Sequence, residues 1–282
     1  MNLIAPTAFK GTLSPLKVAQ LLADDGDRVL PMSDGGDGFI ECLHCGLGGK
    51  IIELTASDPY GRNRSVSVLQ LPDGTMAVES ALVIGMAGLE KLDPLIAESR
   101  GLGELLAQLQ SAPRLLIGLG GSATVDGGMG WPSLDLPPTT VFCDVRTDLK
   151  DAVAKFAPQK GATTRDLPVL QKRLMGLNLP TGHHTGSAGG LGAKLKSLGA
   201  ELVDGGTAMM ELLDFDKACM PCDVVITGEG RLDRTSLEGK LPIIVAKRAR
   251  HLGKTVIGHF GSKGKGWEDA MSFFDEVRFE NN

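Results

Sequence analysis

The order of apolar and polar positions predicts short strands that alternate with helices. An apolar strand at 2–5 precedes a helix at 13–23, and a second strand at 28–31 precedes a helix at 39–45. Ser14 is placed to cap the first of these helices. Because a Gly-rich turn follows each strand, this repeated order indicates a parallel sheet with ligand-binding groups at its strand ends.

The middle of the chain has a different pattern. Runs at 51–57, 64–71 and 75–80 predict strands, and a Pro-Asp-Gly turn joins the last two into an antiparallel hairpin. Further elements are predicted in the rest of this region: helices at 99–109, 167–174 and 193–198, and strands at 114–119 and 141–145. An antiparallel hairpin predicts that the middle belongs to a second, mixed sheet.

The last part of the chain returns to the first pattern, with a strand at 223–227, a helix at 241–251 and a strand at 254–259. A closing βαβ unit can join the sheet that the first strand begins. We therefore expect an α/β fold with two domains. One is discontinuous, 1–45 and 220–282, and the other, 46–219, is inserted into it.

Composition agrees with this expectation. The chain has 282 residues, of which 42% are hydrophobic and 22% charged, as in ordinary globular proteins with one or two domains. Thirty-eight glycines and only 4% aromatic residues are typical of tight strand-to-helix turns. The net charge of −5 favours neither nucleic acid nor a membrane surface as a partner.

The five cysteines and the opening segment indicate the compartment. An odd number of cysteines, an opening segment too short for a signal peptide, and no apolar run of about 18 residues predict a cytoplasmic protein. Cys42 and Cys45, and likewise Cys219 and Cys222, have a spacing that occurs in zinc sites. The pairs lie far apart in sequence, so we interpret them as small buried residues.

The segment Gly118–Gly128, GLGGSATVDGG, carries the clearest chemical signal. It follows a predicted strand, and its glycines allow several backbone N–H groups to converge on an anion, with Ser122 and Thr124 as hydroxyl donors. Asp126 could hold magnesium or accept a proton. The spacing matches neither the dinucleotide fingerprint nor the P-loop. The alternative is a tight turn of small residues packed under a helix.

Two other segments combine acids and bases at predicted strand ends. Asp34 lies in SDGGDG, 33–38, which suits a cation or a polyol hydroxyl but also simply makes turns. The segment 226–240 contains Arg231, whose planar guanidinium suits a carboxylate or a phosphate. Its other polar residues are Glu229, Asp233, Ser236 and Lys240. Arg231 and Asp233 could instead pair with each other across a loop.

Three residues add single charges at similar places. Lys10 follows the first strand, where an ammonium group can neutralise phosphate charge. Asp144 ends a strand, and Lys160 lies on the turn FAPQKG. Acids at strand ends often reach a ligand.

Taken in order, these segments resemble the type I (bacterial) glycerate kinase family over nearly the whole chain. The matching segments are APTAFKGTLSP, SDGGDG, LGGSATVDGGMG, CDV, FAPQKGAT, SAGGLG and VITGEGRLDRTSLEGK. The resemblance implies a flavodoxin/Rossmann-like parallel-sheet domain with a mixed-sheet α/β domain inserted. It also implies ATP and Mg²⁺ as cofactors, D-glycerate as the small hydroxy acid, and phosphoglycerate, the 2-isomer, as product. Whether the protein forms a homodimer is left open by the sequence.

Several positions depart from the family's usual motifs. Thr7 and Ala8 replace an acid and a hydroxyl, Ile84 replaces a serine, and Val125 replaces an asparagine. Arg146 and Thr147 replace Thr and Asn after the CDV segment, and the stretch after Gly130 is short. These losses of polar groups leave open a paralogue that binds a sugar acid or a nucleotide without turnover.

The resemblance and the site chemistry together give each candidate residue a role. The predicted catalytic residues are Lys10, Asp126 as base, and Lys160; those for ATP phosphates are Gly120, Gly121, Ser122 and Thr124; those for the substrate are Glu229, Arg231, Asp233 and Ser236; and those for magnesium are Asp34 and Asp144. A nicotinamide oxidoreductase is disfavoured because no GxGxxG follows the first strand.

Overall fold

The computed structural model describes residues 1–9 and 11–280, with Glu238 described by its backbone only. Two compact units emerge, the first formed by 1–48 and 206–282, and the second by 49–205. The sequence pattern predicts the second domain boundary between residues 219 and 220. The structure instead assigns 206–219 to the first unit, because two helices that the apolar pattern did not predict occupy that segment.

The first unit is built on a five-stranded sheet in the order β13-β11-β9-β1-β2, in which every neighbouring pair is parallel. Its strands are β1 (Asn2–Ile4), β2 (Arg28–Val29), β9 (Val224–Thr227), β11 (Thr255–Phe260) and β13 (Glu276–Phe279). A separate parallel ribbon pairs β10 (Arg231–Leu232) with β12 (Ser262–Lys263). The parallel sheet predicted for the two ends of the chain is confirmed.

Among the described residues, the first unit contains the helices α1 (Pro15–Leu22), α2 (Phe39–Leu47), α8 (Gly205–Leu212, whose first residue still belongs to the second unit), α9 (Phe215–Cys219) and α10 (Leu241–His251). The predicted cap of α1 is present, because Ser14 Oγ accepts a hydrogen bond from the backbone N–H of Lys17 at 3.3 Å. Short 3-10 helices occupy Arg234–Glu238 and Trp267–Phe273.

The second unit contains a six-stranded mixed sheet in the order β3-β4-β5-β6-β7-β8. Its strands are β3 (Lys50–Ser57), β4 (Asn63–Gln70), β5 (Met76–Glu79), β6 (Leu115–Leu119), β7 (Thr139–Cys143) and β8 (Glu201–Asp204). The predicted hairpin is present, with Leu69 opposite Ala77 in the antiparallel pair β4–β5. The strands from β5 to β8 are parallel, so their carboxyl ends meet at one edge.

The helices of the second unit are α3 (Ser80–Ile84), α4 (Arg100–Gln108), α5 (Ala152–Phe156), α6 (Leu167–Met175) and α7 (Ser187–Ser197), with 3-10 helices at Leu149–Asp151 and Pro158–Lys160. Helix α7 was predicted only from 193. Its first turn is left-handed at Ala188, Gly189 and Gly190, with φ of 49°, 72° and 95°. Helical periodicity does not predict such a turn.

Helices pack against the apolar faces of both large sheets. In the second unit a large core joins Val78, Leu105 and Ile117, and a second one joins Val125, Leu149 and Leu174. Two departures from the family motifs, Ile84 and Val125, are fully buried in these cores. Those two changes therefore affect packing rather than an exposed polar surface. Within the described residues, no helix combines the length and the apolar character needed to cross a membrane.

Candidate active site

The loop after β6 lies at the carboxyl edge of the mixed sheet and is held by its neighbours. Ser80 Oγ donates a hydrogen bond to Gly120 O at 3.0 Å and accepts one from Gly120 N at 3.2 Å. Ala123 N donates to Ile84 O at 2.8 Å. These contacts at the start and in the middle of the loop fix the path of its backbone.

The Lys160 side chain reaches the centre of this loop, where its two partners are 36 and 38 residues away in sequence. Its Nζ donates to Ser122 Oγ at 2.9 Å and to Thr124 O at 2.8 Å. The side chain leaves Pro158–Lys160, a tight turn that ends at Gly161. Gly161 has φ of 96°, and a Cβ there would lie 2.3 Å from Leu92 O, so only glycine allows this turn.

Burial of Lys160 changes its acid–base behaviour. The residue is only 3% exposed, and removal from water lowers the pKa of its ammonium group to about 8, an effect that Asp144 and Asp126 partly offset. A cation in such a dry place is suited to an anion that is also removed from water. Thr124 Oγ1 is buried beside it and has no hydrogen-bond partner within the described residues.

Asp126 lies on the same loop, but its carboxylate already accepts hydrogen bonds from the protein. Oδ2 accepts hydrogen bonds from Ser99 N at 2.7 Å and Ser99 Oγ at 2.9 Å, and Trp131 Nε1 donates to Ser99 Oγ at 2.8 Å. The residue is 1% exposed, and burial raises the pKa of its carboxyl group. Its role as base stays a prediction, and this geometry favours a positioning role instead.

Carboxylates stand at the neighbouring strand ends. Glu79 ends β5 opposite Gly118 and is buried, and Asp204 ends β8 opposite Cys143. Asp144 follows β7, and its negative charge lies close enough to Lys160 to offset part of the lowering of the Lys160 pKa by burial. Sequence reasoning did not assign roles to Glu79, Ser80 or Ser99. The signal that could have found Glu79 and Ser80 is their place directly at the end of a strand.

The first unit carries a second polar cluster after β9. Ser236 Oγ donates to Glu229 Oε1 at 2.7 Å, and Lys240 Nζ lies 3.3 Å from Glu229 Oε2 and 3.8 Å from Asp233 Oδ1. Arg231 Nε lies 3.8 Å from Asp233 Oδ2, and its side chain is 63% exposed. The structure therefore brings the four predicted substrate residues together, with Lys240 among them.

Asp233 also takes part in hydrogen bonds with the backbone of residues 233–236. Its Oδ1 accepts from Thr235 N at 2.9 Å, and Ser236 Oγ accepts from Asp233 N at 3.2 Å, which forms a capping box on the 3-10 helix. The hydrogen bond from the Thr235 hydroxyl, followed by the charges of Lys240 and Arg231, holds the pKa of Asp233 below its usual range. The carboxylate is therefore ionised.

Asp34 belongs to the first unit as well. Its Oδ1 accepts a hydrogen bond from Gly36 N at 3.2 Å, and Ser33 Oγ donates to Gly36 O at 3.2 Å. These bonds shape the turn between β2 and α2 and leave Asp34 half-buried. Its predicted partner for magnesium, Asp144, lies in the second unit. Lys10, the remaining predicted catalytic residue, lies outside the described residues.

Among the residues that the structure describes, a metal ion would find few protein ligands. Within 1–9 and 11–280, no three Asp, Glu, His or Cys side chains are grouped so that one ion could bind them together. Mg²⁺ usually keeps several waters and takes one or two carboxylates plus substrate phosphates. Asp34 and Asp144 each fit that smaller donor set.

Comparison with known proteins adds the family. A family model described as the glycerate kinase family matches residues 2–134 and 132–277. The chain is 34% identical to the glycerate kinase of Bacillus subtilis (strain 168) and 33% identical to the glycerate 2-kinase of Escherichia coli (strain K12). Each alignment covers 92% of this chain and 84% of the relative.

A solved structure agrees with the sequence relatives. The crystal structure of a candidate glycerate kinase 2 from Salmonella typhimurium LT2 matches with a TM-score of 0.78 and 29% identity. The match covers 99% of this chain and 89% of that one. The mixed α/β fold with one parallel and one mixed sheet is thus shared with a solved relative.

Proposed function

The chain belongs to the glycerate kinase family, and we propose that it transfers the terminal phosphoryl group of ATP to a hydroxyl group of D-glycerate. The product is then phosphoglycerate. The name of the Escherichia coli relative, glycerate 2-kinase, supports the 2-isomer. ATP is the phosphoryl donor expected of a kinase, and Mg²⁺ is expected to accompany it.

The observation that carries the proposal is the buried contact of Lys160 Nζ with Ser122 Oγ and Thr124 O in the loop after β6. Phosphoryl transfer needs little covalent help from the protein, and it depends on positioning and on neutralising charge. A dry ammonium group stabilises developing negative charge more strongly than an exposed one does. The Thr124 hydroxyl, which has no hydrogen-bond partner among the described residues, supplies a further hydrogen-bonding group for a phosphate oxygen.

The other predicted residues are proposed to act in the same reaction. Gly120, Gly121 and Ser122 line the path of the phosphates, and Arg231, mostly exposed, binds the substrate carboxylate. Glu229, Asp233, Ser236 and Lys240 hold the segment that carries Arg231. Mg²⁺, when bound, would neutralise phosphate charge, and Asp34 in the first unit and Asp144 in the second are each proposed separately as a carboxylate that could hold it. Asp126 anchors the loop through Ser99, so its proposed effect on the reaction is indirect.

The test is a coupled assay of ADP release with D-glycerate, ATP and Mg²⁺. We expect ADP to appear only when both D-glycerate and Mg²⁺ are present, with 2-phosphoglycerate identified in the product by ³¹P NMR. Melting curves with each ligand are recorded in parallel, since a ligand that binds the native state raises Tm. A rise in Tm without any ADP release would contradict the proposal and identify a binder that has lost turnover.

A further inference from the structure

Arg146 follows β7, the strand next to β6, and has no part in the roles given so far. It lies in the loop that follows β7, two residues after Asp144, at the carboxyl edge of the mixed sheet. Ligand-binding groups concentrate at this edge in parallel sheets. The position therefore brings a guanidinium group to the part of the second unit where an anion is expected.

The guanidinium group is oriented by one carboxylate. Its Nε donates to Asp204 Oδ2 at 2.9 Å, and its Nη2 lies 2.7 Å from the same oxygen. Both contacts use one edge of the planar group, and within the described residues Nη1 makes no hydrogen bond. The side chain remains 68% exposed. Arg146 is thus fixed in direction and still open to a ligand.

The backbone that carries Arg146 is also held in place. His184 N donates to Arg146 O at 3.4 Å, Gly186 N donates to Thr147 O at 2.9 Å, and Ser187 Oγ donates to Val145 O at 3.1 Å. Preorganised donors bind an anion better because less order has to be gained on binding. The neighbouring Thr147 Oγ1 is buried and has no hydrogen-bond partner within the described residues.

A second arginine of the same unit shows what a merely structural pair looks like. Arg62 is 70% exposed and its Nε contacts Asp58 Oδ2 at 2.6 Å. Asp58 also accepts from Tyr60 N and Arg62 N, so that pair closes a local turn. Arg146 and Asp204 instead join residues 58 positions apart, at the ends of two neighbouring strands. Exposed ion pairs add little stability, so orientation is the larger consequence of the pair.

We propose that Arg146 is a specificity-determining residue whose guanidinium group, oriented by Asp204, binds an oxyanion of the reactants. The inference rests on the proposed function for the identity of those reactants. Two groups share the required chemistry, the carboxylate of the hydroxy acid and a phosphate of the nucleotide. Both accept the parallel hydrogen bonds that a guanidinium group offers.

The experiment compares R146Q with R62Q, a matched loss of an equally exposed, ion-paired arginine. For both variants and the wild type, KM for D-glycerate, KM for ATP and kcat are measured, and isothermal titration gives Kd for D-glycerate, ATP and inorganic phosphate. R146Q is expected to raise KM and Kd for one reactant about tenfold or more while R62Q changes neither. D204N removes the carboxylate that orients Arg146 and leaves the positive charge of the arginine in place, so it is expected to give a smaller rise.

The outcomes separate the sources. A rise confined to D-glycerate assigns the carboxylate, and a rise confined to ATP and phosphate assigns the phosphate. Unchanged KM and Kd values in a folded R146Q would overturn the proposal and leave an ordinary surface ion pair. If R146Q does not fold, R146K is used in its place. A wild type that binds both ligands but shows no turnover refutes the proposed function alone, because the Kd arm still tests Arg146.

Discussion

Two polar clusters of the molecule differ in how far the protein itself already satisfies them. The Lys160 cluster, formed by Ser122, Thr124, Asp126 and Lys160, is almost completely buried, and Lys160 Nζ and Asp126 Oδ2 contact their partners at 2.7–2.9 Å. The Glu229 cluster, formed by Glu229, Arg231, Asp233, Ser236 and Lys240, is partly exposed, and its ion pairs span 3.3–3.8 Å.

The difference indicates a division of labour. A buried cluster whose charged groups are already hydrogen-bonded keeps its geometry whether or not a ligand is bound, which suits groups that must meet developing charge without reorganising. A looser and more exposed cluster can exchange a protein partner for a ligand at low cost, which suits recognition. Changes in the first cluster should therefore alter turnover, and changes in the second should alter affinity.

The largest effect is expected for K160M. Methionine fills a similar volume but removes the dry positive charge, so kcat/KM should fall about 10³-fold, the loss typical of a single electrostatic group in an active site. Steady-state ADP release checks this, with K155M, which removes an exposed lysine of the same unit, as control. Equal activity of K160M and K155M would remove Lys160 from the reaction.

R231Q should have the next largest effect, and of a different kind. Loss of a charged hydrogen bond to the substrate carboxylate should raise KM for D-glycerate about 10- to 100-fold and leave KM for ATP unchanged. R234Q, which removes a more exposed arginine paired with Asp269, is the matched control. A loss confined to kcat would place Arg231 with the buried cluster and contradict the division of labour.

The pH dependence of the wild type should separate activity from stability. Because burial lowers the pKa of Lys160 to about 8, its charge disappears above that pH, and kcat/KM should fall about tenfold for each further pH unit. The unfolded chain keeps this proton up to its ordinary value of 10.5, so the Lys160 contribution to stability should rise between pH 8 and 10.5.

This opposition is measured by pH–rate profiles together with denaturant unfolding of the wild type and K160M. Subtracting the two unfolding curves isolates the lysine from the other groups that titrate in that range. If activity and the Lys160 contribution to stability both decline above pH 8, the ammonium group is not held in a dry place.

The smallest effect is expected for D126N. The amide cannot accept all the hydrogen bonds of Ser99 and Gly128, so a buried donor loses its partner at a cost of about 1–3 kcal/mol. Urea unfolding should show that loss, and ADP release should fall less than in K160M. Turnover abolished without any loss of stability would instead support Asp126 as the base.

The sequence predicts contacts between residues that lie close together along the chain better than contacts between residues far apart in sequence. The Glu229 cluster is nearly all local, because its contacts lie within residues 229–240, and its members were predicted together. Asp126 was predicted as a base, whereas its burial depends on Ser99, 27 residues away. Likewise the sequence shows Lys160 on a turn but not its contact with Ser122, 38 residues away.

The fold divides in the same way. Strands with strong apolar runs, such as β6 and β9, were predicted within one or two residues of their ends. Strand β8 was missed because its side chains are exposed or half-exposed, so its apolar signal is weak. The left-handed start of α7 depends on tertiary contact: a Cβ at Gly189 would lie 2.1 Å from Thr124 O.

The discontinuous first unit has a consequence for synthesis on the ribosome. Strand β1 pairs with β9, and Thr227 Oγ1 donates to Ala5 O across 222 residues. At about 5–20 residues per second, β1 waits roughly 10–45 s for that partner. The second unit is complete in the nascent chain before β9 emerges. We therefore expect residues 49–205 to fold while translation continues, with the opening strand awaiting the last part of the chain.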